Sequence, residues 1–237
     1  MSVVPVAEIA RRRAEILETI ARAARARDRD PAQVALMAVT KGHSGETVAN
    51  AARAGLTLFG ENRVQEGAAK IQALPAGLTH LTWHLIGPLQ TNKVKTALQY
   101  FQVLESLDRE RLAVRLESLL AGEVRVVPVL IEINVAKEPS KSGVFPEDAA
   151  RLYEAALSCS HLEVRGLMSV PPYDEDPENS RPYFRELARL RDLLAEEFAR
   201  PLPELSMGMS HDYPVAVEEG ATEIRVGTAL LGPREPM

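Results

Sequence analysis

The 237-residue sequence predicts an α/β fold, a single (β/α)8 TIM barrel with one extra helix at its amino end. Three observations lead there. Short apolar runs rich in β-branched residues alternate with amphipathic stretches about eight times. The run over residues 34–40 is unbroken and apolar until it stops at Lys41, as expected of a parallel strand buried on both faces. No linker or low-complexity tract divides the chain, so residues 1–237 are read as one domain, a common size for a barrel. The competing architecture is a doubly wound sheet, which suits fewer strands and a crevice between two halves.

The elements follow in order. From Pro5 to about Arg27, Val6, Ile9, Ile16, Ile20 and Ala23 recur at helical spacing between Arg and Glu, which gives the extra helix. Residues 34–41 form an apolar run that stops at Lys41, the first strand. Helices are then predicted over 46–54, 62–74, 93–100, 109–120, 146–158, 181–200 and 213–219. Strands are predicted over 56–60, 81–86, 101–106, 124–135, 161–168, 204–207 and 223–226. The stretch 124–135 is the most β-branched and is expected deep in the sheet. Residues 171–180, rich in Pro, Asp and Glu, read as a loop.

A net charge of −5 argues against a broad nucleic-acid-binding surface, and no apolar stretch approaches the ~20 residues needed to span a bilayer. Cys159 is the only cysteine, so neither an intrachain disulfide nor a thiolate metal cluster can form, which fits a reducing cytoplasm. Arg11, Arg12 and Arg13 are interleaved with Glu8, Glu15 and Glu18, as in an ordinary amphipathic helix and not a transit peptide.

Side chains at the carboxyl ends of barrel strands converge on one mouth. The candidates are therefore Lys41, residues 60–62, His84, Ser106, Asn134, residues 168–169, Ser206 and residues 225–228. A lysine ammonium is costly to desolvate, so Lys41 at the end of a buried strand is either snorkelling to water or chemically used. Gly227 allows close backbone approach and Thr228 offers a hydroxyl. Together with residues 206–210 they form two loops able to cradle a phosphate, each also compatible with a plain turn. A lysine amine, a phosphate cradle and Arg225 between them suit pyridoxal 5′-phosphate (PLP). Lys41 would take the aldehyde as a Schiff base and Arg225 would donate to the pyridine nitrogen.

Residues 38–41 (AVTK), 59–66 (FGENRVQE), 83–93 (WHLIGPLQTNK), 140–143 (SKSG), 165–168 (RGLM), 205–210 (LSMGMS) and 225–228 (RVGT) carry a resemblance to the pyridoxal-phosphate homeostasis proteins, the YggS/PROSC family. The match runs in order from Lys41 to Gly232. It implies a barrel like the alanine racemase amino-terminal domain, with Lys41 as the Schiff-base lysine. It further implies Arg225 at the pyridine nitrogen and Ser206, Gly227 and Thr228 at the phosphate. Asn62 and His84 match motif positions near the cofactor. The family often has an acidic residue directly after the 207–210 segment, where this chain has His211 before Asp212.

Other residues have plainer readings. His80 and His84 have a helical metal-pair spacing but fall on a strand, so no metal is expected. Trp83 is expected to pack, Cys159 to be inert and Glu61 to cap the following helix. The 140–143 loop is either a lid bearing a second lysine or a solvated turn.

Two functions compete for this site. One is a carrier that regulates the intracellular level of PLP without catalysis, working as a cytoplasmic monomer with apo PLP-dependent enzymes as recipients. The other is an amino-acid racemase, which needs a second proton-transfer group facing Lys41; Tyr173 and Tyr213 are the tyrosines expected near the mouth. A cofactor-free barrel enzyme acting on a phosphorylated metabolite is a third reading. The chain resembles the carrier most.

Overall fold

The computed structural model describes residues 3–78 and 80–233. Eight parallel strands close in sequence order: β1 (Ala35–Val39), β2 (Leu58–Glu61), β3 (Thr82–Leu85), β4 (Val103–Leu107), β5 (Val127–Glu132), β6 (Leu162–Met168), β7 (Glu204–Met209) and β8 (Glu223–Val226). Pairing of β1 with β8, Ala38 opposite Val226, completes the barrel. Helices α1 (Val6–Arg25), α2 (Gly45–Arg53), α3 (Val64–Ala73), α4 (Val94–Tyr100), α5 (Glu110–Leu120), α6 (Ala149–Leu157), α7 (Arg181–Glu197), α8 (Tyr213–Glu218) and α9 (Thr228–Leu231) accompany the strands.

The extra helix completes the outer ring. Ile9, Ile16 and Ile20 of α1 are buried, and the helix packs on α2, α8 and α9, at the seam where β8 meets β1. Arg29, just beyond it, donates to the carbonyls of Val217 and of Ala221 (2.8 Å), which closes the C-terminal end of α8 against the chain entering β1. The core between barrel and helices is continuous. Phe59 and Trp83, neighbours on β2 and β3, stack with centroids 5.0 Å apart within it.

The structure corrects three expectations. The strand predicted from Val124 begins at Val127, and Val124 and Val126 are exposed. Arg125 explains this, because its guanidinium binds the carbonyls of Leu98 and of Phe101 (2.9 Å) and pins the approach to β5 outside the sheet. The seventh strand runs two residues past Met207, to Met209, with its register against β8 shifted between Ser206 and Met209. The short α9 falls in the segment read as a phosphate loop.

Close packing leaves little tolerance where β6 meets β7. A Cβ on Gly166 would lie 1.8 Å from the Glu204 carbonyl oxygen, inside its own sheet partner. Gly166→Ala is expected to lower the unfolding free energy by at least about 3 kcal/mol in urea titration. A loss below about 1 kcal/mol would mean that β6 and β7 can separate freely here.

Candidate functional site

A cavity of about 580 Å3 opens at the carboxyl ends of the strands. Lys41 enters it two residues past β1, Asn62 follows β2, Arg225 rises from β8, and Gly227 and Thr228 form the turn into α9. Val39, Ile86 and Val170 give it an apolar wall, and Tyr173 and His211 form the rim with ring centroids 5.4 Å apart. Five of the seven predicted site residues are thus brought together.

His84 and Ser206 do not line this cavity; both are buried in the barrel interior below it. The hydroxyl serving the 227–229 turn is Ser210, whose Oγ accepts from the backbone N–H groups of Gly227 and Ala229 at 3.2 Å each. The register shift in β7 moves this role four residues along the chain. Tyr213 is buried at the start of α8, which leaves Tyr173 as the tyrosine at the mouth. Asp212 turns inward, with Oδ1 accepting from the Met209 N–H (2.7 Å) and Oδ2 from Ser180 Oγ (3.1 Å).

Beneath the cavity lies a buried polar network. Arg225 is 3% exposed; its Nη1 donates to Ser206 O and Ser206 Oγ (2.7 Å each) and its Nη2 to Ser169 O (2.7 Å). Three of the five N–H groups of a guanidinium are thereby engaged. Ser206 Oγ also lies 2.6 Å from Glu105 Oε2 and 2.7 Å from Glu223 Oε1. A single hydroxyl proton serves only one carboxylate, so the other carboxyl must bring a proton of its own.

That proton sits on Glu223. Burial, and secondly the neighbouring Glu105, push its carboxyl up to about 8. Burial also raises Glu105, but Arg225 opposes this, and His84 Nδ1 lies 2.6 Å from its other oxygen. Burial holds His84 below its usual range, so a neutral ring donating from Nδ1 to an ionised Glu105 satisfies every member. The same three side chains have metal-ligand chemistry, with atoms within 4.8 Å of one another, but this hydrogen bonding uses those atoms.

A second buried ion pair fixes the chain around Lys41. Lys70 Nζ of α3 binds Glu61 Oε1 (2.7 Å), Glu66 Oε1 (2.7 Å) and the Thr40 carbonyl (2.6 Å). Thr40 Oγ1 donates to Glu61 (2.6 Å), and the Gly42 N–H donates to Glu66 (2.6 Å). The residues on both sides of Lys41 are therefore clamped. Glu61 is not the helix cap expected from sequence, because its side chain turns inward to meet Lys70.

Past β5 the 140–143 segment is neither free nor simply solvated. Asn134 Nδ2 donates to Glu138 O (2.7 Å), Ser142 Oγ donates to Glu132 Oε1 (2.9 Å), and Val144 bridges to Ile133. Gly143, at φ +98°, makes the turn, and a Cβ there would sit 2.8 Å from the Asn134 nitrogen. Lys141 pairs with Glu138 Oε1 at 2.7 Å.

With this geometry in place, comparison with known proteins is decisive. The family described as "Alanine racemase, N-terminal domain" matches residues 16–235. The chain is 44% identical to the Pyridoxal phosphate homeostasis protein of Aquifex aeolicus over 94% of its own length and 97% of the relative's. The chain belongs to the pyridoxal phosphate homeostasis protein family. The relative of the same name in Escherichia coli is 36% identical, over 96% of this chain and 97% of its own. PipY of Synechococcus elongatus, a structure solved with PLP bound, superposes with a TM-score of 0.82 at 35% identity, over 94% of this chain and 100% of its own. The barrel with its added amino-terminal helix is the architecture expected of this family. Among the described residues no helix is long and apolar enough to cross a membrane.

Two predictions follow from the buried charges. Lys70→Met should cost about 3–5 kcal/mol in urea unfolding by stranding Glu61, and adding Glu61→Gln should restore much of it. Full stability in the single variant would remove the ion pair from the fold's requirements. The second concerns Glu132, which burial pushes up to about 7 from 4.5. The folded chain then holds a proton that the unfolded chain has released, so stability present below about pH 4.5 is lost as pH rises through about 7. Glu132→Gln should therefore gain on the parent by up to roughly 3 kcal/mol between pH 4.5 and pH 8. A difference independent of pH would show that Glu132 ionises without penalty.

Proposed function

We propose that this chain binds PLP in the mouth cavity, holds it through Lys41, and serves as a cytoplasmic carrier in PLP homeostasis, without turnover. The observation that carries this reading is the convergence of Lys41, Arg225 and the 227–228 turn on one cavity of about 580 Å3. The residues present fit the cofactor. Arg225 keeps two N–H groups beyond the three engaged by Ser206 and Ser169, and Asn62 Oδ1 is a buried acceptor without a partner among the described residues. The Gly227–Ala229 backbone is already ordered by Ser210.

Bound there, PLP supplies an aldehyde that an amine can condense with. Lys41 provides that amine, and the clamps on Thr40 and Gly42 fix where its stem begins. Arg225 donates to the ring nitrogen; a guanidinium there withholds the proton that an acidic partner would help place, which weakens the group's capacity to stabilise carbanions. That favours holding over turnover. Thr228 and the turn around Gly227 would hold the phosphate, and Val39, Ile86 and Val170 would give the ring an apolar wall.

Racemisation would require a second proton carrier opposite Lys41. Tyr173 is the candidate lining the cavity, and it is 75% exposed at the rim, against His211. A phenol so open to solvent is not enclosed opposite Lys41, which again supports the carrier reading. A single-domain monomer delivering PLP to apo enzymes completes the proposal.

The test is titration of the purified chain with PLP, followed by borohydride reduction and peptide mass mapping. A visible absorbance band and a reduced adduct on Lys41 are expected. In Lys41→Ala the band disappears and affinity falls at least about tenfold, or 1.4 kcal/mol. An adduct mapped to another lysine in the unaltered chain would overturn the assignment, and turnover of D- or L-alanine would overturn the carrier reading.

A further inference from the structure

A second cavity, of about 300 Å3, adjoins the first and shares Asn62, Ile86 and Val170 with it. Its far side is the 140–142 segment, strapped to the end of β5 by Asn134 and Ser142. Pro88, Ile86, Ile133 and Val170 make much of the lining apolar.

Two buried oxygens on residues lining this cavity lack hydrogen-bond partners among the described residues. Glu132 is 7% exposed; Ser142 satisfies its Oε1, while Oε2 is buried without a partner among the described residues. Asn62 Oδ1 is buried and without a partner in the same way. Lys141 borders the cavity, but its ammonium is paired with Glu138. A buried polar atom left unsatisfied costs about 1–3 kcal/mol, so two on residues lining one space demand a partner. A bound ammonium would hold Glu132 ionised, displacing the proton that the carboxyl otherwise keeps up to about pH 7. A carboxyl oxygen and an amide oxygen are complementary to a cation with several N–H groups, and the apolar lining to a short aliphatic body. The volume holds roughly ten groups the size of water, at about 30 Å3 each.

We propose that this cavity is a subsite for the primary ammonium group of a small aliphatic molecule, bound by Glu132 Oε2 and Asn62 Oδ1. The subsite shares Asn62 with the cofactor reading, and its place beside a Lys41-held ligand rests on that reading, but Glu132 lines the second cavity and not the first, so binding there is testable in the chain alone. Its place beside the mouth cavity puts an arriving amine next to Lys41's ligand without competing for the 227–229 turn. The ammonium could come from a simple amine or from an amino acid.

Calorimetric titration of the full-length, cofactor-free chain with propylamine, L-alanine and propanol tests the proposal. Saturable binding of propylamine, L-alanine or both is expected, with Glu132→Gln weakening it at least about tenfold. Comparable binding of the two assigns recognition to the ammonium alone; stronger L-alanine points to amino acids, and propylamine alone to amines. Should Glu132→Gln fail to fold, the side-chain amide resonances of Asn62 in the unaltered chain must shift on adding the amine. The proposal is overturned if propanol binds as well as propylamine, if Glu132→Gln binds unchanged, if those resonances stay still, or if neither ammonium compound binds up to about 100 mM, affinities weaker than about −1.4 kcal/mol. None of these outcomes alters the borohydride adduct, so the two readings fail separately.

Discussion

Arg225 is only 3% exposed at the floor of the mouth cavity, and the interior of the barrel is arranged around its guanidinium. Desolvating that charge would cost several kcal/mol without compensation. Compensation comes from a carbonyl within β7, another just past the end of β6, a serine hydroxyl, and a glutamate at 4.0 Å. Barrel interiors are usually filled by branched aliphatic side chains. Here β3, β4, β7 and β8 instead contribute His84, Glu105, Ser206, Glu223 and Arg225 to one hydrogen-bonded group. One shared proton leaves that group close to neutral, which is what lets it remain buried.

The other half of the mouth rests on a separate ion pair of the same kind. Lys70 reaches from α3 to the carbonyl preceding Lys41, and Glu66 holds the amide following it. Each wall of the cavity is therefore anchored by charge sequestered under it, while Ser210, just past β7, orders the turn above. The apolar Phe59–Trp83 stack, behind β2 and β3, braces the same region from outside the barrel.

The eight units, the mouth and the five residues that reach it were legible because each is a local signal: a strand that ends, followed by a polar residue. The supporting residues are non-local. Glu105 lies inside an apolar strand and Glu223 opens another, and only the pairing of β7 with β8, across from β4, shows that they meet. A charged residue within a run buried on both faces was the available clue, since such a group must find a partner. Lys70 carried no signal in the sequence, because a helical pattern does not reveal which lysine folds inward. Ser206 was assigned to the turn that Ser210 serves because an irregularity in strand pairing leaves no imprint on composition. Glu132 and the strapped 140–143 segment became meaningful only when two cavities proved to share a wall.

The closing seam of the barrel has a consequence for biogenesis. Lys41 follows the first strand and Arg225 lies on the last, and the two come together only when β1 pairs with β8. A chain still emerging from the ribosome has its lysine in solution long before the opposite wall exists. The cavity's two walls therefore cannot meet until synthesis has passed the eighth strand, and a truncated product lacking that strand would have no such cavity.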